Sequence, residues 1–391
     1  MTIIRRMAAA CLALLPWTAS RPAEAAEPPL VIAKSGYVFA GGKIDTSVPG
    51  SPMVGQLYAE FQIPQKLLHP YPIVMIHGGS QTGTNFTGTP DGREGWAQYF
   101  LRRGYAVYVV DQVARGRAGY WTQSYGPVTV PQLDRELQRF AAPERYKLWP
   151  QAHLHTQWPG AAQPGDPIFD AFYASQYPSL KDFAKQQELN RDAGAALLDK
   201  IGPAILLTHS QSGAMGWPIA DKRPNLVKAI VAVEPNGPPV HEIEFKGAPD
   251  WFGDQQKTKI SGLGDIPLSY DPPLKAGESL SFVRQDKADG PDLVRCWSQA
   301  APARKLVNLK DIPILIISSE ASYHASYDHC TAAYLTQAGV SNDFVRLADR
   351  GIHGNGHMMM LEKNSDAIAG VIEGWLRKTL PGKATSRTAR R

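Results

Sequence analysis

Hydrophobic positions along the chain fall into short β-rich runs separated by segments of helical length. The runs are Gly36–Ile44, Gln56–Ile63, Ile73–Ile76, Ala106–Val110, Ala204–Thr208, Ala229–Val233, Ile314–Ile317 and Asp343–Leu347. The later ones are continuous apolar stretches, the pattern of parallel strands buried on both faces. Between them lie segments such as Trp96–Arg103 and Ser212–Ala220 that read as helices. Antiparallel strands first, then strand alternating with helix, predict an α/β fold on a mostly parallel eight-stranded sheet flanked by helices. Residues 116–200 and 236–310 break the alternation and read as two long lid-like insertions. The Trp, Tyr and Phe of the first, among them Trp121, Trp149, Trp158 and Phe172, either line an apolar pocket or form a core of their own.

Composition narrows the class. The chain has 391 residues, 43% hydrophobic and 20% charged, which excludes collagen, a disordered chain and a polytopic membrane protein. The formal charge of +5 is concentrated at the ends. Residues 1–25 and the last nine hold seven of the 41 basic residues and one of the 36 acidic ones, so the body is close to neutral. A nucleic-acid partner, which needs clustered Lys and Arg on the folded domain, is therefore not expected. Arg5 and Arg6, the apolar Ala8–Leu15 and Ala23-Glu24-Ala25 have the layout of an export signal. That predicts a signal peptide at 1–25, a domain at 26–382, a basic disordered tail at 383–391 and a periplasmic or secreted protein. Stable membrane insertion is not expected, since the apolar run is too short to span a bilayer. In such a compartment Cys296 and Cys330 either pair or sit apart as small core residues.

The sharpest chemical signal is Ala204-Ile-Leu-Leu-Thr208-His209-Ser210-Gln211-Ser212-Gly213, a buried strand running through small-x-Ser-x-small into a helix. A nucleophile on so tight a turn needs small neighbours two residues either side. Ser210 fits that place, with Ser212 as a rival one helical step on. Upstream, His77-Gly78-Gly79-Ser80 ends another strand, and Gly79 or Ser80, with Gly79 preferred, offers one oxyanion donor; the N–H of Gln211 offers the other. Gly351-Ile-His353-Gly-Asn-Gly356-His357 supplies a base after the last strand, with His357 closing the turn and His353 supporting it. The residues alone leave the acid open between Glu234, which ends an Ile/Val run, and Glu320; Asp328 reads as an ordinary loop acid. His153-x-His155 has ligand spacing but no third partner, and reads as a polar turn. Arg115 and Arg117 read either as partners of surface carboxylates, the preferred reading, or as binders of an acidic substrate group. Met358–Met360 reads as the buried start of the last helix.

Leu207–Gly213 with Val231-Ala-Val-Glu234-Pro235 resembles the bacterial esterase 713-like branch of the α/β-hydrolases. So do Thr89-Pro-Asp91-Gly-Arg93 through Gly104-Tyr105, Asp111-Gln112 with Arg115-Gly-Arg117, and Gly351–Met360. The branch's type member carries two adjacent cysteines where Gly79 and Ser80 stand here. The resemblance implies an α/β-hydrolase fold with the acid after strand six, at Glu234. It implies a Ser210–His357–Glu234 triad with Gly79 and Gln211 as the oxyanion hole. The expected activity is hydrolysis of a small-molecule carboxylic ester through an acyl-enzyme, with no cofactor or metal. A lactone, amide, thioester or C–C substrate, or a catalytically silent binding protein, are the alternatives, and a homodimer is left open.

Overall fold

The computed structural model describes residues 28–380; the predicted export signal and basic tail lie outside the described residues. Eight strands form the central sheet: β1 (Ile32–Ile44), β2 (Met53–Pro64), β3 (Ile73–Ile76), β4 (Val107–Asp111), β5 (Ala204–His209), β6 (Val227–Val233), β7 (Ile314–Ser318) and β8 (Asp343–Arg346). Their order is β1-β2-β4-β3-β5-β6-β7-β8. The pairs β1/β2 and β2/β4 are antiparallel, and every later pair is parallel. Each predicted run becomes one of these strands, with ends moved by no more than a few residues.

The continuous apolar runs are explained by two cores, one on each face of the sheet. Ile205, Leu207, Val231, Val233, Leu315 and Ile317 enter one core, while their alternate neighbours Leu206, Ile230, Ala232, Ile314 and Ile316 enter the other. Side chains alternate across a strand, so a sheet covered on both faces leaves no polar position. Helices α1 (Trp96–Arg102), α2 (Phe183–Ile201), α3 (Gly213–Lys222), α4 (Asp328–Gln337) and α5 (Ser365–Thr379) supply the cover.

The two insertions differ in character. The first ends in helix α2, which runs one residue past it, packs against β1, β2 and α3 and belongs to the sheet's own cover. Its Gln186, Gln187 and Asn190 are buried and polar, which masked the helical periodicity. The rest of that stretch is short helices and loops whose Trp149, Trp158, Phe169 and Phe172 join a sheet-face core, while Trp121 is exposed. Residues 236–310 form small two-stranded pairs, including His241–Phe245 with Phe252–Thr258 and Phe282–Arg284 with Trp297–Gln299. Cys296, beside the last of these, is disulfide-bonded to Cys330 on α4. Among the described residues no helix is long and apolar enough to cross a membrane.

The bridge closes a loop across 34 residues of sequence. Loop-closure entropy for that length predicts that the Cys296→Ser/Cys330→Ser protein loses about 3–4 kcal/mol of stability, read as a lowered denaturant midpoint, with an m-value no smaller than that of the bridged protein because the unfolded chain is released.

Candidate active site

Register brings four strand ends to one edge. Ile76 lies opposite Thr208, His209 opposite Val233, and Val233 opposite Ile317. The residues that follow, namely the His77–Ser80 turn, Ser210, Glu234 and Ser319, therefore share the carboxyl edge of the sheet, where open α/β folds place their ligands.

Ser210 stands at the turn from β5 into α3 with φ +55°, a left-handed conformation that costs a non-glycine residue energy. The surroundings hold it there. The Asn236 N–H donates to the Ser210 carbonyl at 2.6 Å. A Cβ at Gly78 would lie 2.9 Å from the Ser210 Cβ, and one at Gly213 only 2.5 Å from the Cβ of Pro235. Thr208 holds the small position two before the serine, and it is larger than a glycine there would be. Its methyl is accommodated by Gly216 in α3, where a Cβ would approach it to 2.8 Å. The rival serine, Ser212, is wholly buried; its hydroxyl donates to the Ile76 carbonyl at 2.7 Å and accepts from the His209 N–H at 2.8 Å. It ties two strand ends together and does not face the cleft.

Glu234 leaves β6 with φ +44° and no solvent exposure. Its Oε1 accepts from the Ser319 N–H at 2.8 Å and the Ser319 hydroxyl at 2.5 Å; its Oε2 accepts from the Ser322 hydroxyl at 2.7 Å and from His357 Nδ1 at 2.5 Å. Burial raises its pKa, against the opposing pull of His324 and these serine bonds. Burial likewise holds His357 well below the usual imidazole range, with help from His324, Arg139 and Arg135. The neutral ring donates Nδ1–H to Glu234. Among the described residues its buried Nε2 has no partner, and His357 lines the same cleft as Ser210. Glu320 is placed elsewhere: it accepts from the Gly354 N–H at 2.8 Å and pairs with exposed His353 at 3.0 Å. That pair braces the loop carrying His357 from outside. Met358–Met360 are buried in turns, and α5 begins only at Ser365, because Glu362 and Asn364 bind back to Asn355 and Gly356.

Several neighbours were not signalled by any motif. His324 stacks on His357 with ring centres 4.7 Å apart and planes at 11°. Its Nδ1 shares a 2.8 Å hydrogen bond with Asp328, which is no loop acid but the wholly buried first residue of α4. Tyr323 lies against His357 with ring centres 4.7 Å apart and lines the same cleft as Ser210. Ser319, Ser322, Tyr323 and His324 all follow β7, the place usually read for an acid; here that segment supports one. Donor atoms of Glu234, His324 and His357 lie within 4.8 Å of one another.

The turn after β3 is built from behind. His77 is buried, accepts at Nε2 from the Gln112 N–H at 3.2 Å and so donates from Nδ1 to the Gly78 carbonyl at 2.9 Å. Burial and then Arg115 bring its pKa down to about 3. Arg117 does pair with carboxylates, Asp111 at 2.8 Å and Glu60 at 2.5 Å. Arg115 does not. It has no exposed surface and gives Nη1 to the Gly78 carbonyl at 2.7 Å and Nη2 to Gln211 Oε1 at 2.5 Å. Of the turn's N–H groups, Gly78 is bound by Gln81 and Ser80 by Ser179. Gly79 and Gln211 both line the cleft, whose volume is about 410 Å³.

Residues 73–371 match the model of the alpha/beta hydrolase family. This chain belongs to that family. The hydrolase is 44% identical over 342 residues to a protein named probable secreted lipase phiG from Fungal sp. (strain ATCC 74256), an alignment covering 88% of this chain and 89% of that protein. Its fold is similar to the solved structure of a bacterial esterase, with a TM-score of 0.57 and 23% identity over 90% of this chain and 98% of that one.

His155 of the hydrolase, read as part of a polar turn, is buried between Glu144 at 3.0 Å and Glu362 at 2.8 Å, while His153 is exposed. Those carboxylates raise its pKa to about 9 in spite of burial. A raised folded-state pKa gives stability that is complete below the unfolded value, near 6.5, and is lost as pH rises through 9. Thermal denaturation should therefore show a stability loss on the order of 3 kcal/mol between pH 6.5 and 9.5, absent in His155→Gln.

Proposed function

We propose that the protein is a secreted serine hydrolase of carboxylic esters acting through an acyl-enzyme, with Ser210 as nucleophile, His357 as base and Glu234 orienting it. The observation that carries this is one geometry: a strained Ser210 and His357 line the same cleft, the His357 Nε2 unpartnered among the described residues and its Nδ1 fixed on a buried carboxylate. Names of the relatives, a secreted lipase and an esterase, support both the ester and the export parts of the reading.

Ser210 Oγ attacks the ester carbonyl while His357 Nε2 takes its proton, and Glu234 holds the ring in the tautomer that can accept it. The negative charge arising on the carbonyl oxygen is met by the N–H groups of Gly79 and Gln211. The Gly79 N–H belongs to the same peptide group as the Gly78 carbonyl, which accepts from both His77 and the buried Arg115 cation. Drawing electron density toward that carbonyl makes the N–H a stronger donor, and Arg115 also fixes the side chain of Gln211. The proton on His357 then passes to the leaving alcohol. Water, deprotonated by His357, attacks the acyl-enzyme and releases the acid.

A phosphonate ester probe followed by peptide mapping should place a single adduct on Ser210. Ser210→Ala should abolish labelling and turnover, and Glu234→Gln should lower kcat by about 10³–10⁴-fold while binding is retained. An adduct on Ser212, or a normal Glu234→Gln enzyme, would overturn the assignment. Arg115→Met should lower kcat by about 10–100-fold with KM little changed, because its effect is felt only when the oxyanion forms. The depressed His357 pKa places the acid limb of kcat/KM below pH 6.5, so activity should persist on the acid side of that value.

A further inference from the structure

One wall of the cleft carries charge that the ester mechanism does not use. Residues Leu133–Glu136 run into Leu137–Ala141, and Arg135, Glu136, Arg139 and Phe140 of this segment line the cleft with Ser210 and His357. Arg135 and Arg139 are one turn apart and share a face. The Arg139 guanidinium lies over the rings of Phe245 and Tyr323, at 5.5 and 5.4 Å, and Tyr323 in turn touches His357. A group bound at Arg139 is therefore one aromatic ring away from the reacting centre. Neither arginine has a carboxylate within ion-pair distance among the described residues. The other acid lining the cleft, Glu242, is taken by Lys259 at 2.7 Å.

Glu136 is the second observation. It is 1% exposed, and its Oε2 has no hydrogen-bond partner among the described residues. Burial raises its pKa to about 7, the arginines only partly opposing. A buried carboxyl without a partner is costly unless something else supplies the bond. Two guanidinium groups without a carboxylate partner among the described residues, and a buried acid that can hold its proton, form a constellation suited to an anion rather than to a hydrocarbon chain.

We infer that this wall is a subsite for an oxyacid anion carried by the substrate, so that the enzyme selects esters bearing a carboxylate or phosphate a few atoms from the scissile carbonyl. The planar guanidinium forks of Arg135 and Arg139 match either group. Glu136, protonated, donates its hydrogen to a free oxygen of the same anion. The inference rests on the ester-hydrolase reading and names its substrate class.

The test compares kcat/KM for ethyl hydrogen adipate, the acetyl ester of glycerol 3-phosphate and neutral diethyl adipate at low salt. At least one anionic ester should exceed the diester by roughly 10-fold or more, the worth of one charge-assisted contact, and the preferred one tells carboxylate from phosphate. Added salt should erode the preference. Arg139→Gln should reduce the anionic-to-neutral ratio, and the Arg135→Glu/Arg139→Glu protein should reverse it in favour of an acetyl ester bearing a trimethylammonium group. That gain shows the variant is folded. Turnover of the diester with no anionic preference, or a preference unchanged by charge reversal, overturns this inference alone. Turnover of no ester, with Ser210 unlabelled by the phosphonate, overturns the parent reading and this one with it.

Discussion

A carboxyl group with no access to water, directly after the five apolar residues Ala229–Val233 that end a strand, is the constraint around which this edge of the protein is organised. Glu234 cannot be left unsatisfied there, and it is bonded at both oxygens by Ser319, Ser322 and His357. Those bonds tie together β6, the segment after β7 and the loop before α5, which are distant in sequence. The loop carrying His357 is secured again by Glu362 on its inner side and by Glu320 on its outer side. Satisfying one buried acid thus positions a ring against the cleft, and removing the acid would leave three elements without their common tie.

Electrostatics divide across the same centre. Behind the glycine turn, Arg115 is buried against neutral oxygens, and burial lowers its pKa only to about 9, leaving it cationic at neutral pH. In front, Arg135 and Arg139 bear on His357 and depress it further. The imidazoles of His77, His209, His324 and His357 are all pushed down by burial first. An anion arising in the cleft therefore meets the arginine cations and the newly protonated His357, while the rings of His77, His209 and His324 stay neutral behind it.

Much of this was legible in the sequence because apolar periodicity and tight turns have local causes. All eight strands of the sheet, the Ser210 turn and the glycine turn follow from such patterns. The choice between Glu234 and Glu320 was not local, since both follow buried strands; it depended on which one meets His357 across the sheet edge. Arg115 was read as a surface partner because a guanidinium held by backbone and amide oxygens leaves no trace in spacing. The residues after β7 were missed for a related reason. Ser319, Ser322 and His324 act through neighbours contributed by other strands, so their types look unremarkable in order. Helix α2 was hidden by polar residues that are buried, the reverse of the usual code.

Thr208 and Gly216 show what it means for a turn to be defined by volume rather than by letters. One side chain occupies space that the opposite position must vacate, so the two residues constitute a single steric allowance shared between strand and helix. Their tolerance to change is consequently epistatic. Shrinking Thr208 first would open room at 216, whereas enlarging Gly216 first would drive α3 off β5. Mutational paths through this elbow are ordered, and lineages that reach a glycine at 208 are free to spend the vacated volume on the helix.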